Sequence, residues 1–140
     1  ERAQERGYHS PIQPDKEATD RDYDLAIRYC LEHIKDIALC CGTHNEKSSL
    51  LLVNLMNEFG LEKNDPRIYF SQLLGMSNHI SFNLASAGFN VAKYVPYGPV
   101  KDVMPYLIRR ANENTSVAGQ TGRELGLIEQ ELKRRKAARH

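Results

Sequence analysis

The sequence predicts an α/β fold in which about three parallel strands alternate with helices, the pattern of part of a (β/α)8 barrel rather than of a complete one. Three observations predict it. Short, largely apolar runs at 37–41, 68–70 and 91–95 alternate with stretches of helical periodicity, the grammar of βα units around a parallel sheet. Each run passes directly into polar or aromatic residues, as strand ends do where such folds bind ligands. And three strands fall short of the eight that close a barrel.

Taken in order, Glu1 to Arg6 is charged and helical in character, and Ser10-Pro11-Ile12-Gln13-Pro14 interrupts it because two prolines remove donors and constrain their neighbours. Thr19-Asp20-Arg21-Asp22 has the form of a helix start, a Thr cap with an acid three residues on. Tyr23, Ala26, Ile27, Cys30, Leu31 and Ile34 then form one stripe ending near Lys35. Ile37-Ala38-Leu39-Cys40-Cys41 suits a strand buried on both faces, ended by Gly42-Thr43-His44-Asn45. A Leu-rich helix over 46–59 stops at Gly60. Ile68-Tyr69-Phe70 is the second strand, closed by Gly75, and 76–87 a short helix stopped by Gly88. Val91-Ala92-Lys93-Tyr94-Val95 is the third strand. Pro99 suits the first turn of a helix running to about Asn114, and a polar helix follows over about 120–136. Residues 1–115 are expected to form the α/β part and 116–140 a C-terminal helix with a basic tail.

Composition narrows the class. Of 140 residues, 41% are hydrophobic and 26% charged, which excludes a disordered or collagen-like chain, and no run approaches the length of a membrane-spanning helix. The net charge is +1, with +5 in the last eight residues and −4 before them, so no chain-wide footprint for nucleic acid exists. Three cysteines, two of them adjacent, argue against a disulfide framework and for a reducing compartment. No cleavable signal stands at the N-terminus, and the chain opens without an initiator Met, as a processed protein or a piece of a larger one would.

The strand ends supply the candidate site residues. His44 is placed to donate a hydrogen bond or act as an acid or base, while Thr43 and Asn45 would equally serve as caps of the next helix with His44 a turn residue. On the helix from Pro99, Val100, Val103, Met104, Leu107, Ile108 and Ala111 share one face, and Tyr106, Arg109, Arg110 and Glu113 the face roughly opposite. Two adjacent guanidiniums beside a Tyr and a Glu suit a carboxylate or phosphate clamp, or form a solvated face whose charges pair with one another. Lys16 and Thr19 lie in a polar stretch within reach of a ligand, with a capping role open to Thr19. The scattered histidines give no metal spacing, and neither phosphate-loop fingerprint occurs.

The segments Tyr94-Val95-Pro96-Tyr97-Gly98 and Tyr106-Leu107-Ile108-Arg109-Arg110-Ala111-Asn112-Glu113-Asn114 carry a resemblance. Together with Thr43-His44-Asn45 and Gln72-Leu73-Leu74-Gly75-Met76 in matching order, they resemble the C-terminal part of the flavin-dependent proline dehydrogenase (proline oxidase) family, from about residue 8 to residue 132. The resemblance implies a distorted (β/α)8 barrel that binds FAD, oxidises L-proline to Δ1-pyrroline-5-carboxylate and passes electrons to a membrane quinone. By motif it assigns Arg109 and Arg110 to the proline carboxylate, Tyr94 and Tyr106 to the pocket wall, Leu73 to the proline ring and Glu113 to orienting the arginines. Thr43 and His44 become flavin contacts, with Asn45, Lys16 and Thr19 beside them. The family's earlier strands, with a substrate lysine, an acidic residue and an arginine near the flavin, have no counterpart here, so the 140-residue chain is expected to be inactive without them. A cytoplasmic location is expected, peripheral to the inner membrane and on the matrix side in a eukaryote. The alternative is a non-catalytic interaction fragment whose basic tail meets an anionic surface or a partner protein.

Overall fold

A computed structural model describes residues 2–115 and 120–137. The order is α1 (Arg2–Arg6), α2 (Lys16–Glu32), β1 (Leu39–Gly42), α3 (Glu46–Glu58), β2 (Ile68–Leu73), α4 (Asn78–Ser86), β3 (Val91–Tyr94), α5 (Val100–Thr115) and α6 (Gln120–Ala137). The three strands form one parallel sheet in the order β1-β2-β3, with Leu39 beside Ile68, Phe70 beside Val91, and Leu73 beside Tyr94. The predicted class and alternation are therefore what the chain adopts.

Register divides the sheet into two faces, since successive side chains alternate. Leu39, Cys41, Ile68, Phe70, Gln72 and Val91 point to one side, where Ile27 and Leu31 of α2, Ile34 just after it, and Leu52, Leu55 and Met56 of α3 close the core. Phe70 meets Phe89 edge-on, with ring centroids 5.5 Å apart. Burying side chains of this size contributes roughly 1.5–3 kcal/mol each, which makes this layer the main source of stability. The other face, with Cys40, Tyr69 and Tyr94, is exposed. That corrects the expectation of a first strand buried on both sides. Crossovers between adjacent parallel strands share one hand, so consecutive helices fall on the same side.

Boundaries shift for local reasons. Asp15, not Thr19, caps α2: its carboxylate accepts from the Ala18 N–H at 2.7 Å, and Thr19 Oγ1 donates back to the Asp15 carbonyl. An aspartate outcompetes threonine as a cap because its charge also meets the positive end of the helix. β1 starts two residues late, at Leu39, where pairing with β2 begins, and Ile37 is left exposed. β2 runs three residues past Phe70, because Ser71 pairs with Gly42 and Ala92, and Leu73 with Tyr94. Gly60 takes φ +65° directly after the Phe59 C-cap, the left-handed stop expected of it.

The amino ends of the strands are pinned by one charged clasp. Arg67 donates to Asp65 through Nε at 2.9 Å and Nη2 at 2.6 Å, and through Nη1 to the Ile34 carbonyl at 3.1 Å. Asn90 Nδ2 reaches the carbonyls of Asp65 and Ile68, tying the start of β3 to the same point. The Arg67 bonds hold the Asp65 carboxyl down at about 2, from an ordinary 3.8. A depressed carboxyl stabilises the fold above its unfolded pKa and loses that contribution as pH falls through the folded value. Thermal melts from pH 6 to pH 2 should therefore show Asp65→Asn melting lower than wild type at pH 6 and converging with it near pH 2. A constant gap across that range would contradict the assignment.

Candidate functional site

Parallel strands gather their carboxyl ends on one edge, so three exit turns meet there. α2 also brings its N-terminal half to this edge. It runs antiparallel to β1, with the Tyr23 hydroxyl 3.6 Å from Cys41 Sγ and Ile34 down beside Arg67. Burial and the phenol's proximity act on Cys41 in opposite senses; burial is the larger, and the thiol rises to about 11. Cys41 is thus a packed core group and not a nucleophile.

The first turn, Thr43-His44-Asn45, is held by buried polar groups from the second. Gln72 Nε2 donates to the Thr43 carbonyl at 3.2 Å, and Gln72 Oε1 accepts from Ser81 Oγ at 2.8 Å. Gln72 and Ser81 are both almost wholly buried. Ser77 Oγ lies 2.8 Å from His44 Nδ1. Within the turn, Thr43 Oγ1 accepts from the Asn45 N–H, and Asn45 Oδ1 caps α3 by accepting from the Lys47 N–H. Both side chains thus use their acceptors locally, leaving the Thr43 hydroxyl hydrogen and the Asn45 amide hydrogens to donate outward. A Cβ added at Gly42 would meet nothing within 4 Å, so the space above the end of β1 is open beside these donors.

A second cluster lies over the ends of β2 and β3. Leu73, Leu74, Met76, Val95, Pro96, Tyr106, Leu107 and Arg110 surround a cavity of about 400 Å³, within the size range of small-molecule sites. Tyr94 and Tyr106 meet edge-on at 5.8 Å, and the Arg110 guanidinium sits over the Tyr106 ring at 5.3 Å. Lys93 Nζ donates to the Met76 carbonyl at 2.7 Å, fixing the loop that forms one wall. α5 is turned with Tyr106 and Arg110 half-buried, while Val100, Met104, Leu107 and Ile108 are exposed. The apolar stripe of this helix therefore faces largely outward.

The structure thus brings Leu73, Tyr94, Tyr106 and Arg110 together, and gathers Thr43, His44 and Asn45 at the neighbouring turn. Arg109 lies beside Arg110 on α5 and is exposed. The α5 backbone carries Glu113 one turn further, its side chain lying outside the described residues. Lys16 pairs with Asp20, and both Lys16 and Thr19 are on the exposed first turns of α2, at the level of the strand ends. Gln72, Ser77 and Ser81 escaped the reading of the sequence as site residues. Their signal was a glutamine in the buried row of a strand, followed by two serines four apart on the buried side of a helix. Among the described residues, no group of three or more His, Cys, Asp or Glu side chains is placed to hold a metal.

Fold and site together define an α/β protein with a small cavity at the carboxyl ends of parallel strands. The chain belongs to the proline dehydrogenase family, whose model matches residues 1–123. It is 48% identical over 136 residues to mitochondrial proline dehydrogenase 1 of Bos taurus, covering 95% of this chain and 23% of that protein. It is 42% identical over 137 residues to hydroxyproline dehydrogenase of Homo sapiens, covering 95% of this chain and 30% of that protein. Among solved structures it is similar to proline utilization A from Bdellovibrio bacteriovorus inactivated by N-propargylglycine. There the TM-score is 0.73 and the identity 30%, over 81% of this chain and 12% of that one. The chain spans about a quarter of the length of the curated relatives it matches.

Removing one hydroxyl tests the buttress under the first turn. Ser81→Ala leaves the Gln72 carbonyl oxygen without its 2.8 Å donor in a buried site, which should cost about 1–3 kcal/mol by denaturant unfolding. A loss below about 0.5 kcal/mol, as at an ordinary surface serine, would show the contact to be incidental.

Proposed function

We propose that this chain forms the C-terminal part of the catalytic barrel of an FAD-dependent enzyme that oxidises L-proline to Δ1-pyrroline-5-carboxylate, with a quinone as electron acceptor. The reaction removes two electrons and two protons across the ring C–N bond. The observation that carries the reading is the inward turn of α5, which sets Arg110 and Tyr106 with Leu73 around one small cavity, Tyr94 meeting the Tyr106 ring beside it. Turning a guanidinium toward the cavity makes sense where an anion has to be held.

The flavin, when bound, takes the two electrons, so the protein's task is binding and orientation. Arg110, partly withdrawn from water, binds the carboxylate, and its stacking on Tyr106 fixes the plane of the guanidinium. Arg109 completes the clamp from the outer side, and Glu113 orients the pair. Leu73 and the two tyrosines grip the ring and limit water. The donor set suits FAD: the Thr43 hydroxyl, the His44 ring and the Asn45 amide stand together in the turn after Gly42, with Lys16 and Thr19 supplying polar contacts at the same edge.

The open sheet face and the exposed stripe of α5 are the surfaces that the remaining strands and helices of the barrel cover, in keeping with relatives several times longer. An exposed parallel edge and face would otherwise invite association. The Bos taurus relative is named mitochondrial. No helix among the described residues is long and apolar enough to cross a membrane. The basic last turn of α6, Arg134-Arg135-Lys136, offers a peripheral contact with an anionic membrane surface, where a quinone is met.

Steady-state kinetics of the FAD-loaded full-length protein test the clamp. Arg110→Met should lower kcat/KM for proline by tens- to thousands-fold, on the order of 2–5 kcal/mol, because a buried carboxylate loses its partner. Arg109→Met should act in the same direction and less, since its side chain is exposed. Near-wild-type values for both, with flavin content unchanged, would remove the proposal.

A further inference from the structure

Ser77 breaks two local rules at once. It is the one non-glycine residue with positive φ among the described residues, at φ 47° and ψ 43°. A serine in the left-handed region is strained, and such strain persists only where the surroundings impose it. It also occupies the N-cap of α4, where serine is a preferred residue because its oxygen can accept from the first free N–H groups. Ser77 makes no such capping bond. Its hydroxyl instead lies 2.8 Å from His44 Nδ1, 33 residues earlier in the chain.

We propose that Ser77 is a positioning residue for His44: it gives up capping and accepts a strained backbone in order to hold the His44 Nδ1 and so fix the orientation of that ring at the strand ends. The hydroxyl can donate to Nδ1 or accept from Nδ1–H, so the bond is kept in either tautomer. It sets which edge of the ring faces α4 and does not select which nitrogen holds the proton. The placement is itself held from behind. The Ser77 carbonyl accepts from the N–H groups of Ile80 and Ser81, and the one hydroxyl hydrogen of Ser81 goes to Gln72, which holds Thr43. The turn bearing His44 and the residue that orients its ring thus move as one body, and Ser77 is 5% exposed within it.

The functional weight of this inference rests on the reading that His44 faces the flavin, and the test separates the two. The full chain, labelled with 15N-histidine, is read by two-dimensional proton–nitrogen spectra of the imidazole rings, with His44 assigned from His44→Gln. The His44 Nδ1 resonance is expected at a hydrogen-bonded position in the wild type. Ser77→Gly removes the hydroxyl while suiting the left-handed backbone, so it should keep the melting temperature or raise it and move that resonance away from its wild-type position. Ser77→Ala should move it in the same way with a lower melting temperature. An unchanged Nδ1 resonance in both variants overturns the proposal. The visible spectrum of FAD added to the same proteins tests the underlying reading. A spectrum that shifts with His44→Gln and with Ser77→Gly supports both, and one that shifts with His44→Gln alone overturns the proposal. If neither substitution moves it, His44 does not face the flavin, and the ring spectra alone decide the role of Ser77.

Discussion

The geometry of the strand ends depends on Gln72, a primary amide set in the apolar row of β2 between Phe70 and the helix layer. In such a place an amide must be satisfied by protein, since an unmet buried polar group costs about 1–3 kcal/mol. Its partners are the Thr43 carbonyl on one side and the Ser81 hydroxyl on the other. Through them the exit of the first strand, the body of the second and the first turn of α4 share one frame. The parallel ladder sets the strands; this amide sets the turns that leave them.

Around that frame the protein gives up stability in two places, both at the same edge. α4 starts from a left-handed serine without its capping bond, and Pro105 removes an internal hydrogen bond from α5 one residue before Tyr106. The opposite edge shows none of this. There Asp65, Arg67 and Asn90 satisfy one another and close the loops with ordinary geometry. Departures from local rules that concentrate where the ligand groups converge are what a binding site built on a rigid scaffold looks like. The division also explains why stability and site are separable here: Ile27, Leu52 and Phe70 lie on the helix side, and Leu73 and Tyr94 on the other.

Much of this was legible from sequence. The alternation of short apolar runs with helical stripes gave the strands and their parallel order, and the positive-φ stops at Gly60 and Gly88 stand where their residue type placed them. Leu73, Tyr94, Tyr106 and Arg110 were picked out by strand-end position and by motif, and they converge. What could not be read was orientation. The α5 pattern has two opposed faces, and periodicity alone favours burying Val100 and Ile108; only the position of Tyr94 and Leu73 turns the helix the other way. The strand burial was misjudged for a related reason, because an unbroken run such as 37–41 carries no information about which face the crossover helices take. Ser77 was invisible: a serine before a helix reads as a cap, and its bond to a histidine 33 residues away is a property of the folded chain.

The most direct test of the central claim is a crystal structure of the full-length, flavin-containing protein with a bound five-membered-ring carboxylate that cannot be oxidised. The account predicts the carboxylate against Arg110, the ring between Leu73 and the Tyr94–Tyr106 pair, and the Thr43-His44 turn against the flavin. A ligand bound elsewhere, with the Tyr106–Arg110 face of α5 turned to solvent, would contradict it.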